Sequence, residues 1–235
     1  EVGSGSTFFN PLVTGSTATR SNYGQYRTLV LGDENAQFVF GNQSSSYFYA
    51  LNIERARYKE AILPGLTTIT LKSGSNQITL TDDSQLNTAA VFTDAGRVYN
   101  LVSGSAGDIY TTLNSNGWTF ASGSYGWLLP DIGVILLNGE ALSGSSVGGG
   151  LELPISRSFD SGSVNPTHLI DALNLGQNFT LNSDETLSSD YAFVRATNSN
   201  YNYSTNPSFI SGSTGTVIFP EFIQNPQTYI TTVGL

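Results

Sequence analysis

The tripeptide Ser-Gly-Ser recurs at positions 4, 73, 103, 122, 143, 161 and 211, separating short apolar runs of strand length. Glycine supplies positive φ and the flanking serines bond nearby backbone, which is what tight connections between strands require. The intervals are irregular, so the tripeptides are turn punctuation rather than a repeat of fixed period. The expected fold is mainly β, an antiparallel sandwich or barrel-like sheets with one or two short helices at about 54–63 and 166–173.

Leu66 to Leu71 and Gln77 to Thr81 flank Ser73-Gly74-Ser75-Asn76, which has the length and residues of a hairpin turn. Further strands are expected at Val91-Phe92, Arg97 to Val102, Ile109 to Leu113, Gly117 to Ala121, Tyr191 to Thr197, Thr216 to Phe219 and Thr228 to Val233. Trp127 to Leu137 is the longest apolar patch and should be the most buried strand region, with Pro130 at a bulge or edge. Residues 1–45 read as an extended N-terminal arm or peripheral strands, free either to pair with a neighbour's edge or to fold back. Residues 46–235 read as a β-rich domain, with an internal boundary near the Gly- and Ser-rich 138–150.

Charge gathers in one place, between Tyr47 and Gly65. Arg55, Arg57 and Lys59 are three of only nine basic residues, and Glu54 and Glu60 accompany them. Tyr47 to Ile53 suits a strand buried on both faces. Glu54 to Leu63 holds good helix formers with opposite charges at i,i+3, and Pro64-Gly65 stops it. Ala56→Pro in the interior of such a helix should cost about 3 kcal/mol. The helix is either a solvated cap on one end of a sheet or a charged contact to another subunit, with Arg55, Arg57, Tyr58 and Lys59 as the interface candidates. The second helix is expected to open at Asn165-Pro166, run through Leu173 and end before Gly176.

A chain of 235 residues can bury roughly 70 % of its unfolded surface. Its net charge of −9 and lack of a basic stripe argue against nucleic acid as a partner. With no cysteine, disulfides, thiolate-bound zinc and thiol catalysis are excluded together. The N-terminus resembles no signal peptide and the longest apolar patch is too short to span a bilayer, so membrane insertion is not expected. Methionine is absent even at position 1, so the sequence is expected to be a processed or partial product.

Gly144-Ser145-Ser146-Val147-Gly148 matches the Gly-x-Ser-x-Gly pattern of hydrolases, with Asp160 and His168 following in the order Ser, Asp, His. The surroundings argue against it, because a nucleophile elbow needs a strand, a strained turn and a helix, and strand-like Leu151 to Ile155 follows instead. Asp82-Asp83 and the group Asp184, Glu185, Asp190 offer oxygen ligands without the spacing of a calcium loop, and read as solvated loops. Neither Lys59 nor Lys72 follows a phosphate-binding loop. No catalytic site, cofactor or metal is expected, and the chain reads as a non-enzyme. Tyr201, Tyr203 and Phe209, close to Asn198, Asn200 and Asn202, are candidates for stacking on a glycan, although such aromatics also serve cores and interfaces.

Tyr49 to Ile53, Arg55 to Glu60, Pro64-Gly65, Gly96 to Ser105, Leu129 to Asn138, Tyr191 to Pro207 and Thr228 to Leu235 together carry a resemblance. Over residues 47–235 the chain resembles virion structural proteins of large contractile-tailed phages, especially those infecting marine cyanobacteria. The resemblance implies a tail, baseplate or neck component, assembled in the host cytoplasm, whose partners are other virion proteins and copies of itself. It also implies that the chain is a segment of something longer, and it carries no active site. The competing expectation is a glycan- or receptor-binding module of a fibre or cell-surface protein.

Overall fold

The computed structural model describes residues 2–4, 18–33, 35–41, 43–86, 91–110, 124–144, 150–155, 161–195, 197, 203–225 and 234. Two compact units divide the chain, Glu1–Thr186 and Leu187–Leu235, and residues 138–144 lie inside the first.

The first unit begins with β1 (Val2–Ser4), α1 (Ala18–Leu31), β2 (Phe38–Phe40), β3 (Gln43–Ser45), β4 (Tyr47–Asn52), α2 (Arg55–Tyr58) and β5 (Ala61–Ile62). Next come β6 (Thr68–Ser73), β7 (Asn76–Asp82), β8 (Val91–Thr93), β9 (Gly96–Ser105), β10 (Asp108–Ile109), β11 (Gly126–Leu129) and β12 (Val134–Asn138). It closes with α3 (Gly139–Ser143), α4 (Ser161–Gly176), β13 (Phe179–Thr180) and β14 (Ser183–Asp184). The main sheet runs β1-β4-β12-β11-β9-β7-β6-β13, with β8 and β10 added to β9 and every pairing antiparallel. It forms a half-barrel, the mainly β architecture expected.

Alternation along β4 explains its unbroken apolar run. Tyr47 and Tyr49 enter one buried cluster with Ile135, Leu137, Leu80 and Leu101, while Phe48 and Ala50 enter another with Leu136 and Leu129. Successive side chains of a strand point to opposite faces, so a strand covered on both sides must be apolar throughout. Leu169 and Ala172 of α4 and Ala141 and Leu142 of α3 join the first cluster; Tyr23, Tyr26 and Val30 of α1 join the second. The expected hairpin at Ser73 to Asn76 is the β6–β7 turn, and Pro130 lies in the turn between β11 and β12.

Helix α1 replaces part of the expected arm or peripheral strands. Its apolar residues Tyr23, Tyr26 and Val30 sit at helical spacing and are all buried, and the two tyrosines pack on Phe48 with ring centroids 5.4 and 5.3 Å away. Such aromatic pairs add about 0.5–1.5 kcal/mol beyond burial. The Tyr23 hydroxyl donates to the Ser45 carbonyl and accepts the Phe38 N–H, and the Tyr26 hydroxyl donates to Asn52 Oδ1. The helix is held by the sheet rather than by its Ser- and Asn-containing sequence.

The helix expected over 54–63 is a single turn. Lys59 takes φ 57 while its N–H caps the Arg55 carbonyl, and Ala61-Ile62 then form β5 against β14. Ile62 donates to the Pro130 carbonyl and Leu63 to that of Asn182, so tertiary strand contacts win over helix propensity here. Helix α4 is longer than the expected 166–173, and it contains Asn165 and Pro166 within its span. Its last residue, Gly176, lies so close to the Thr70 carbonyl that an added Cβ would come within 2.0 Å.

Asp82 and Asp83, read as a solvated loop, are buried. Asp82 Oδ1 accepts from the Gly65 N–H and from both the N–H and hydroxyl of Ser84, and Asp83 takes the Asn100 N–H and side-chain amide. Both carboxylates tie loops to the sheet end. The expected strand at Tyr191 to Thr197 is not formed: Tyr191 to Arg195 have no strand partner. The expected strands at 117–121 and 228–233 lie outside the described residues. Thr216 to Phe219 contribute only one bridge, Ile210 to Val217, and the second unit also carries α5 (Pro220–Gln224).

Candidate interaction surfaces

Helix α2 and the turn after it carry the charged candidates. Arg57 meets Glu54 at 3.8 Å, with both side chains about three-quarters exposed, a pair worth little in water. Lys59 Nζ reaches Glu185 Oε1 at 2.7 Å. Arg55 lies over the Tyr58 ring at 5.7 Å and donates weakly to the Glu60 carbonyl. The Arg57 to Glu60 pairing suggested by spacing is not what Glu60 makes. Its carboxylate accepts the Thr186 N–H, and the Thr186 backbone and side chain hold it below the usual carboxylate range.

Tyr58 is 4 % exposed and its ring abuts Gly133, so its side chain belongs to the core and not to an interface. Arg55, Arg57 and Lys59 do stand at the surface. Beside them opens a cleft of about 540 Å³ bordered by Glu54, Arg57, Tyr58, Phe179, Leu181 and Asn182. Its one cation and one carboxylate face each other across the first turn of α2, which leaves neither charge directed at a ligand.

A second surface lies on Leu187–Leu235. No described residue of this unit is buried, yet it displays Leu187, Tyr191, Phe193, Val194, Tyr203, Ile218 and Ile223. Its aromatic contacts are edge-on: Tyr203 to Phe209 at 6.4 Å and 87°, Phe209 to Phe222 at 5.2 Å and 69°. Tyr203 and Phe209 are thus brought together, but as a small cluster rather than a coplanar platform for a sugar. Tyr201 lies outside the described residues.

The serine pattern at 144–148 is only partly described, since 145–149 and Asp160 lie outside. Helix α3 precedes it and residues 151–155 form no helix after it, the reverse of a nucleophile elbow. His168 Nδ1 is 2.8 Å from the Pro154 carbonyl, a contact that fixes α4 to the 150–155 segment. Among the described residues no group of three or more His, Cys, Asp or Glu is placed to hold a metal, and no helix is long and apolar enough to cross a membrane. Comparison with family models, with curated proteins and with solved structures finds no match to this chain.

Proposed function

We propose that the chain is a structural, non-enzymatic component of a tailed-phage particle, working in the tail, baseplate or neck through contacts with other virion proteins and with copies of itself. The observation that supports this reading is the apolar exposure of the described residues in 187–223. None of the described residues of the second unit is buried, and Phe209, Ile210 and Phe222 are only partly covered, so the described part of this unit offsets little of its own conformational entropy. Large exposed apolar surface rimmed by polar residues marks a place where another protein binds. The exposed side chains of 187–223 include the Tyr and Phe types that interfaces favour. The particle itself comes from the sequence resemblance over residues 47–235.

The test is the protein content of washed virions. Mass spectrometry should find peptides ending at Arg97 and at Arg195 in amounts comparable to other particle proteins. Their absence removes the assignment. A specific glycan-array signal that Tyr203→Ala abolishes would replace it with the binding-module reading.

A further inference from the structure

Residues 190–195 read Asp-Tyr-Ala-Phe-Val-Arg, a run of strand formers in which Tyr191 and Phe193 share one face of an extended chain and Ala192 and Val194 the other. Among the described residues this run has no strand partner. Phe193 is 97 % exposed, Tyr191 83 % and Val194 78 %, and no hydrogen bond joins the backbone of 187–195 to any other described residue. Backbone polar groups and large apolar side chains are offered together, as an unpaired strand offers them.

The same chain carries an open edge. Among the described residues β8 pairs only with β9, through Val91↔Val98, Phe92↔Arg97 and Thr93↔Gly96. The Arg97 N–H donates to Asp131 Oδ2 instead, at 2.7 Å. Phe92↔Arg97 is therefore a non-hydrogen-bonded pair, and the Phe92 N–H and C=O point away from β9. Val91 and Phe92 are 64 % and 72 % exposed, so this edge is apolar and, among the described residues, unpaired on its outer side.

We propose that residues 190–195 of one copy pair with β8 of a second copy, extending the main sheet across the subunit boundary. The occupant is a second copy because this one chain holds both halves of the contact. Charge favours it too: Asp190 and Glu221 against Arg195 give 187–235 a net −1, leaving −8 of the total −9 on the first unit. A contact led by the near-neutral segment brings copies together without pressing two acidic units face to face. Donor and acceptor are different surfaces, so the contact is head-to-tail and builds a ring or a filament. The inference rests on the assembly reading and gives it a partner and a mode of pairing.

The experiment uses the full chain in light scattering coupled to size-exclusion chromatography. The native protein runs as an oligomer. The double variant Ala192→Pro/Phe193→Pro, which takes a bonding N–H from whichever side of the strand is used, runs as a monomer. Phe92→Lys on the edge also runs as a monomer. Mixed one to one, these variants form a dimer that grows no further, because one intact strand and one intact edge survive between them. All three positions are exposed, and unchanged near-UV circular dichroism of both variants certifies the fold. In the native oligomer the amides of 191–195 exchange at least about tenfold more slowly than in Phe92→Lys. A monomeric native chain, an oligomer persisting in either variant, or a mixture that stays monomeric overturns the pairing. Virion content is independent of this result: a chain present in particles but monomeric in solution loses the pairing and keeps the particle assignment, and an oligomer absent from particles does the opposite.

Discussion

Asp131 grips Arg97 with both carboxylate oxygens: Oδ1 accepts from Nε at 3.0 Å and Nη2 at 2.6 Å, while Oδ2 accepts the Arg97 backbone N–H at 2.7 Å. The turn after β11 is thereby fastened to the start of β9. Burial acts to raise the Asp131 carboxyl, but the Arg97 hydrogen bonds and charge outweigh it and hold the group below the usual carboxylate range. A carboxyl lowered by folding stabilises the native state above its unfolded value, about 3.9, and that stabilisation is lost as pH falls through the folded value. Asp131→Asn should cost about 1–2 kcal/mol at pH 7. Urea titrations below pH 4 should show a shallower acid loss in the variant than in the native chain.

Gly133 holds φ 67 in the same turn, and a Cβ there would come within 2.2 Å of the Tyr58 ring. Tyr58 is buried and has nowhere to retreat. Gly133→Ala should destabilise the first unit by about 2–4 kcal/mol, combining backbone strain with overpacking. Equilibrium denaturation measures it, and adding Tyr58→Ala should recover none of the strain and only the steric part.

Ala56 tests the shortened helix. The bonds of α2 are Arg57 N–H to the Glu54 carbonyl and Lys59 N–H to that of Arg55, so the Ala56 N–H closes no helical bond. Ala56→Pro should cost about 1 kcal/mol or less, not the 3 kcal/mol of a helix interior. A midpoint shift matching the larger figure would restore the longer helix.

Asn138 is fully buried and caps α3, its Oδ1 accepting from the Glu140 and Ala141 N–H groups at 3.1 and 3.3 Å. Its side-chain amide also reaches the Ser124 carbonyl. Asn138→Ala should cost about 1–2 kcal/mol, whereas Asn138→Asp keeps the cap acceptor and should cost less at the helix itself. Thermal unfolding of the two variants compares them.

Period-two patterning and turn chemistry are local, so β4, the β6–β7 hairpin and β9 were legible from residues alone, whereas Trp127 to Leu137, read as one buried strand region with Pro130 at a bulge or edge, is two strands, β11 and β12, joined by a turn over 130–133. The run Tyr47 to Ile53 announced a strand covered on both faces because no polar residue before Asn52 interrupts it. The surface positions of Arg55, Arg57 and Lys59 were likewise legible from their charge, which cannot be buried without a partner. Tyr58 was misplaced because an amphipathic ring fits a surface or a core equally well, and only the turn at Gly133 selects the core.

The sequence by itself determined the class of the fold, the β6–β7 hairpin turn and the absence of thiol chemistry, since these follow from residue types and short-range geometry; of the Ser-Gly-Ser tripeptides read as turns, the one at 103–105 lies inside β9 and the one at 161–163 inside α4. Tertiary structure alone decided the rest. Tyr23, Tyr26 and Val30 become a helix only against Phe38 and Phe48, and Ala61-Ile62 leave a helical sequence because β14 and the Pro130 carbonyl offer them strand contacts. Asp82 and Asp83 enter the interior because Gly65, Ser84 and Asn100 arrive there with donors. Tyr191 to Arg195 shows the opposite outcome, a strand-forming sequence that pairs with no strand among the described residues. Each case turns on residues distant in the chain, whose contacts are worth more than local propensity and are invisible to it.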